Sequence, residues 1–150
     1  MVQEMIVYTD GACHQNAKSR GPGGFGVVVL NNVGELVETY QHFEDNTTNN
    51  RQEMKAILWA TIKYGKKEPL TIYSDSSYAI QTFETWMYSW FKNDWKKSDG
   101  RQPENLDLVT GFYNLVQQGY NVKFEKVKGH TGNKWNEMAD QLATGKYNGH

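Results

Sequence analysis

Met5-Ile6-Val7-Tyr8-Thr9-Asp10-Gly11-Ala12-Cys13 is the stretch on which the fold turns. Its mixture of Ile, Val, Tyr and Thr favours a strand over residues 4–9, ended by Asp10-Gly11. A carboxylate placed where an apolar strand runs out suits chemistry better than packing. Later segments repeat the arrangement of a carboxylate at an element boundary, around Glu53 and Asp75, and Asp140 lies on a helix near the end of the chain.

Working outward, a polar, glycine-rich loop over 12–24 leads to a second strand at 25–30. Asn31-Asn32-Val33-Gly34 is a hairpin signal into a third strand at 35–43. Thr47-Thr48-Asn49-Asn50 stops the sheet pattern. Over 51–64 the period becomes helical, with Met54, Ile57, Leu58, Thr61 and Ile62 on or near one face, and Gly65 closes the helix. Residues 70–74 form a short strand, and Asp75-Ser76-Ser77 opens a helix reaching about residue 83. An aromatic segment at 86–95 and a polar loop at 96–103 follow. A helix over 105–118 carries the stripe Leu106, Val109, Phe112, Tyr113 and Val116. The fifth strand spans 121–127, a glycine-flanked loop 129–132, and the last helix 134–144.

Three strands followed by alternating strand and helix imply an α/β fold, a mixed sheet with helices packed on it. If the 70–74 strand lies beside the first through a right-handed crossover carrying the 51–64 helix, Asp10 and Asp75 share the carboxyl ends of adjacent parallel strands. Ligands of such sheets sit at that edge.

A chain of 150 residues is the usual size of one domain, here 1–150, and needs no disulfide or structural metal. One cysteine, Cys13, and four scattered histidines offer no disulfide framework and no zinc-site spacing, which favours a reducing, cytoplasmic compartment. The opening Met1-Val2-Gln3-Glu4 lacks the basic and apolar run of a signal peptide. The apolar run at 27–30 is far too short to span a bilayer, so no membrane role is expected. The compact start and short 145–150 tail favour a free-standing protein, expected to be a monomer. Sixteen basic and seventeen acidic residues give a formal charge of -1, which does not advertise a nucleic-acid binder. Lys92, Lys96, Lys97 and Arg101 nevertheless cluster in one segment, and Lys123, Lys126, Lys128 and Lys134 in another.

Each carboxylate has a purely structural reading as well. Glu53, three residues after Asn50, could be the reciprocal partner of a helix cap. Asp75 could be a cap itself, and Asp10 could open an Asx-type turn with Gly11. Asp140, between Met138 and Leu142, could simply be a solvated helix position. The predicted topology, however, aims Asp10, Asp75 and the start of the Glu53 helix at one sheet edge. Gathered carboxylates take up protons unless cations neutralise them, and an all-oxygen donor set suits Mg²⁺ or Mn²⁺ rather than zinc. Two such ions about 4 Å apart support in-line phosphoryl displacement, which makes phosphodiester hydrolysis the natural chemistry. His130, in Lys128-Gly129-His130-Thr131-Gly132, could transfer a proton or escort a product near neutral pH.

These residues resemble the type 1 ribonucleases H over nearly the whole chain. The resemblance is carried by Thr9-Asp10-Gly11-Ala12-Cys13, Gly21-Pro22-Gly23-Gly24-Phe25-Gly26, Thr47-Thr48-Asn49-Asn50-Arg51-Gln52-Glu53, Ser74-Asp75-Ser76, Val127-Lys128-Gly129-His130 and Asn136-Glu137-Met138-Ala139-Asp140. It implies an RNase H-like five-stranded sheet of order 3-2-1-4-5 with the first three strands antiparallel. It further implies that Asp10, Glu53, Asp75 and Asp140 hold two Mg²⁺ ions while His130 assists turnover. The implied substrate is an RNA/DNA hybrid, its RNA strand cut internally to leave 5′-phosphate and 3′-hydroxyl ends.

The positions matching the family's contacts to the RNA minor-groove side are Cys13, Asn16, Asn49 and Asn50, groups suited to 2′-hydroxyls. On the DNA side they are Thr48 and Asn105 for a phosphate, and Trp86 and Trp90, four apart and hence on one helical face, for the deoxyribose channel. Trp86 and Trp90 could equally form a plain core stripe. The segment 86–101 resembles the family's basic protrusion, but Phe91, Asn93, Asp94 and Asp99 dilute its lysines, so its phosphate attraction should be smaller. Ser77 stands where an amide side chain is often found, and the glycine loop carries extra residues around Ala17 to Arg20. The alternatives are another nuclease or integrase on the same fold, or a non-catalytic hybrid-binding module.

Overall fold

The computed structural model describes residues 4–14, 20–66, 69–127 and 133–147. Its elements are β1 (Met5–Cys13), β2 (Gly21–Leu30), β3 (Leu36–Thr47), α1 (Asn49–Tyr64), β4 (Leu70–Ser74), α2 (Ser77–Gln81), a π-helical turn (Thr82–Trp86), α3 (Met87–Lys92), α4 (Leu106–Gln117), β5 (Val122–Lys126) and α5 (Lys134–Thr144). The strands form one five-stranded sheet, order β3-β2-β1-β4-β5. The pairs β1–β2 and β2–β3 are antiparallel and β1–β4 is parallel, as expected, and β4–β5 is also parallel.

Strand alternation distributes apolar side chains to both faces. Val7, Phe25, Val27 and Val29 meet Met54, Ile57 and Ala60 of α1 together with Phe83, Met87, Val109 and Phe112. Tyr8, Val28 and Leu30 face the other way, onto Ala139 and Leu142 of α5. A strand apolar on both faces requires helices on both sides of the sheet. Fully burying a side chain such as Ile57 or Phe112 contributes roughly 1.5–3 kcal/mol. No helix among the described residues is long and apolar enough to cross a membrane.

The sequence expectation ends β1 at Asp10-Gly11 and leaves 12–24 as loop, but the ladder continues. Asp10 pairs with Gly26, Gly11 with Phe25 and Cys13 with Gly23. A Cβ on Gly26 would lie 2.5 Å from Leu142 Cβ and 2.9 Å from Ala143 N. Gly26 marks close approach of α5 to the strand backbone rather than a turn. β3 likewise runs on to Thr47, beyond its expected end at Phe43. On α1 the buried side is carried by Gln52, Glu53, Met54, Ala56, Ile57, Ala60 and Thr61, while Ile62, expected near that face, is 58% exposed. Five residues beyond Ile57, it is rotated well off the stripe. The helix expected to end near residue 83 continues through the π-helical turn into α3.

Candidate active site

Asp10, Glu53 and Asp75 converge, one carboxylate oxygen from each lying within 4.8 Å of the others. β1 supplies Asp10, and Asp75 directly follows β4, its parallel neighbour. The helix that crosses between these strands, α1, carries Glu53 near its start. Asp140, on the exposed side of α5, is near enough to Asp10 to help raise its carboxyl, but is not one of the three residues whose oxygens lie within 4.8 Å of one another.

Local capping leaves the acidic side chains to one another. Thr48 caps α1, its Oγ1 accepting from Arg51 N at 3.1 Å. Ser76 caps α2, its Oγ accepting from Ala79 N at 3.1 Å. Neither Glu53 nor Asp75 serves as a cap. Asp10 does accept from Gly11 N, at 2.9 Å, but within a strand rather than a turn. The same Gly11 N–H donates to Glu53 Oε1, and the buried Ser74 hydroxyl donates to Glu53 Oε2 at 3.4 Å.

Burial pushes the Asp10 carboxyl up to about 7, reinforced by the Asp75 charge and by Asp140 and opposed by its hydrogen bond with Glu53. Burial also raises Glu53 well above the ordinary carboxylate range, with Asp10 and Asp75 adding and the Gly11 N–H opposing. Without a cation, such a cluster retains protons near neutrality. Its donors are all oxygens, two of the three carboxylates are buried, and their spacing lets a single ion touch all three. That donor set fits a hard divalent cation.

A second region lies along α1 and α4. Arg51 binds Asp107 through both terminal nitrogens, Nη2 at 2.8 Å and Nη1 at 3.0 Å, and Nη1 also donates to Asn105 Oδ1 at 3.2 Å. Asn105 Nδ2 donates to the Tyr78 hydroxyl at 3.2 Å. Trp86 and Trp90 lie with ring centroids 6.2 Å apart, and with Tyr78, Lys97, Ser98 and Glu104 they line a groove of ≈ 410 Å³. Trp86 is 37% exposed, whereas Trp90 is half-buried and also packs on the core.

Asn49 is exposed and Asn50 half-buried at the start of α1. Cys13 Sγ donates to Thr47 O at 3.3 Å and Gly21 O at 3.6 Å, which places the thiol at the adjoining lip. His130 and Asn16 lie outside the described residues. Ser77 Oγ accepts from Lys126 Nζ.

Sequence reasoning missed three contributors. Ser74 is fully buried at Glu53. Arg51 engages Thr48 through its backbone and Asn105 through its side chain. Tyr78 joins Asn105 to the tryptophan groove, and its spacing of eight residues before Trp86 was the available signal.

The RNase H family model matches residues 2–147. A ribonuclease H of Caldicellulosiruptor saccharolyticus is 37% identical over 143 residues, 95% of this chain and 94% of that protein. The crystal structure of LC9-RNase H1, a type 1 RNase H with the type 2 active-site motif, superposes with a TM-score of 0.83 at 30% identity, covering 97% of this chain and 72% of that one. LC11-RNase H1, solved in complex with an RNA/DNA hybrid, shares the fold, with a TM-score of 0.69, 21% identity and 94% coverage of each chain.

Proposed function

The chain belongs to the RNase H family, and from that premise we propose that it is an endonuclease hydrolysing the RNA strand of RNA/DNA hybrids at the Asp10, Glu53, Asp75 and Asp140 cluster. The carrying observation is the convergence of Asp10, Glu53 and Asp75 from different elements into a donor set within 4.8 Å.

In this reading the four carboxylates hold two Mg²⁺ ions, with Mn²⁺ able to replace them. When bound, the ions supply an activated water and neutralise charge on the departing oxygen, leaving 5′-phosphate and 3′-hydroxyl ends. Gly11 N–H orients Asp10 and Glu53 together, and Ser74 steadies the second oxygen of Glu53. His130 moves a proton at the product end of the cycle.

Cys13, Asn16, Asn49 and Asn50 contact the RNA strand, where 2′-hydroxyls distinguish it from DNA. Thr48 and Asn105 receive a DNA phosphate, and the Trp86 and Trp90 groove receives the deoxyribose. The whole chain, 1–150, acts as one catalytic domain with its protrusion at 86–101, as a cytoplasmic monomer.

Asp10→Asn tests the reading. Hybrid cleavage should collapse by at least about 10³-fold while hybrid binding is largely kept, because the ligand is removed but the groove is not. Unchanged cleavage would sink the proposal, and hybrid binding without cleavage by the unaltered protein would make it a binding module.

A further inference from the structure

We infer that Arg20, the last residue of the extra glycine-loop segment, is a phosphate anchor for the nucleic-acid backbone at the end of β3 next to Thr47 and Thr48. The inference rests on the hybrid-binding reading above and extends it to a residue that reading does not use.

Gly21 pairs with Thr47, but Gly23 pairs with Glu44, so one residue of β2 faces two of β3. The residue between the glycines is Pro22, which has no N–H to give to a ladder. β3 therefore bulges at Asp45 and Asn46, and a bulge re-aims the groups it carries. Asn46 turns both its oxygens to Arg20: Nε donates to Asn46 Oδ1 at 3.1 Å and Nη2 to Asn46 O at 3.0 Å.

Both acceptors are neutral, so the guanidinium is held without losing its charge. The ion pairs among the described residues do not include it. Arg51, by contrast, is already matched by Asp107. Arg20 is exposed, its Nη1 is uncommitted in these bonds, and a fork fixed along one edge presents its other edge in a set direction. Holding a long side chain in place beforehand lowers the ordering cost of a later contact.

Its location gives the charge a purpose. Asn46 directly precedes Thr47, whose carbonyl accepts from Cys13, and Thr48, which caps α1. Arg20 thus stands on the rim beside the proposed substrate-contacting residues. In a chain of net charge -1, an anchored cation here supplies phosphate attraction that the diluted protrusion lacks.

The test measures binding of a short RNA/DNA hybrid across a salt series in an Asp10→Asn background, and steady-state cleavage in the otherwise unaltered protein. Arg20→Ala should weaken binding about 5-fold and lower the slope of log K against log salt by about 0.9. KM should rise by a similar factor with kcat unchanged. Arg20→Lys should restore the salt slope, since the charge returns, but only part of the affinity, since the fork does not. Wild-type affinity and slope in Arg20→Ala would overturn the inference, as would a lower Tm with an unchanged salt slope, which would make Arg20 a clasp for the bulge. These outcomes are distinct from failure of the underlying reading, in which the protein carrying Arg20 itself cleaves hybrid no better than duplex DNA.

Discussion

The backbone N–H of Gly11 donates to the Glu53 carboxylate across the contact between β1 and α1, and also reaches Asp10 Oδ1 at 2.9 Å. A Cβ on residue 11 would lie 2.6 Å from the Gln52 carbonyl carbon and 2.9 Å from Gln52 Cβ. The helix approaches this closely only because the residue is glycine. Gly11→Ala should therefore cost roughly 1–3 kcal/mol through overpacking and displace Glu53 from Asp10. Denaturant unfolding with a parallel cleavage assay checks both effects, and wild-type stability with wild-type cleavage would contradict the close approach.

The acidic cluster should make metal-free stability fall as pH rises. Asp10 titrates near 7 when folded, against about 3.9 in an unfolded chain. Between those values the folded state binds more protons, so its contribution is complete below about pH 4 and is lost as pH climbs to about 7. Asp10→Asn removes the Asp10 share of that dependence, leaving the share of the buried Glu53, and should be the more stable protein near pH 8, by on the order of 2–4 kcal/mol. Thermal melts in a chelator across this range provide the measurement. Equal pH slopes for the two proteins would show that the Asp10 carboxyl is not raised.

Adding Mg²⁺ should reverse the same loss. A cation bound by the folded cluster alone raises the unfolding free energy, and Tm with it, as its concentration rises, by about 2.7 kcal/mol of stability at one hundred times its dissociation constant. The gain should shrink in Asp10→Asn, and an equal Tm shift in both proteins would place binding elsewhere.

Much of this arrangement was legible in the sequence. The β1–β4 parallel pairing follows from strand alternation and a crossover helix, and that pairing brings Asp10 and Asp75 to one edge. Asp140 was harder to read, because an exposed helix position has the same pattern whether it faces solvent or a neighbouring carboxylate. The glycines from Gly21 to Gly26 carry the composition of a loop but the role of a strand, since the density of α5 against Gly26 is a tertiary fact. Spacing alone left Asp75 open as a helix cap and Glu53 as a cap's partner, beside their reading as metal ligands, and only the hydrogen bonds give the caps to Ser76 and Thr48. The Arg20 bond to Asn46 depends on a register shift that no local pattern encodes.

Arg51 supports the proposed phosphate site from behind. Its guanidinium fixes the amide of Asn105, a residue held at a φ of 59°, while its backbone N–H fixes the Thr48 hydroxyl. Arg51→Ala keeps the backbone bond but frees Asn105, so KM for hybrid should rise several-fold with kcat little changed. The stability cost should be about 1 kcal/mol or less, because Asp107 is largely exposed. An unchanged KM would separate Asn105 from substrate binding.

Cleavage of one labelled sequence, presented as RNA/DNA hybrid, duplex RNA, duplex DNA and the hybrid of opposite strand label, separates a hybrid-directed ribonuclease from any other nuclease. In Mg²⁺, internal cuts are expected in the RNA strand of the hybrids alone, abolished by a chelator, with 5′-phosphate ends. Equal cutting of duplex DNA or duplex RNA, or undiminished cutting after chelation, would contradict that expectation.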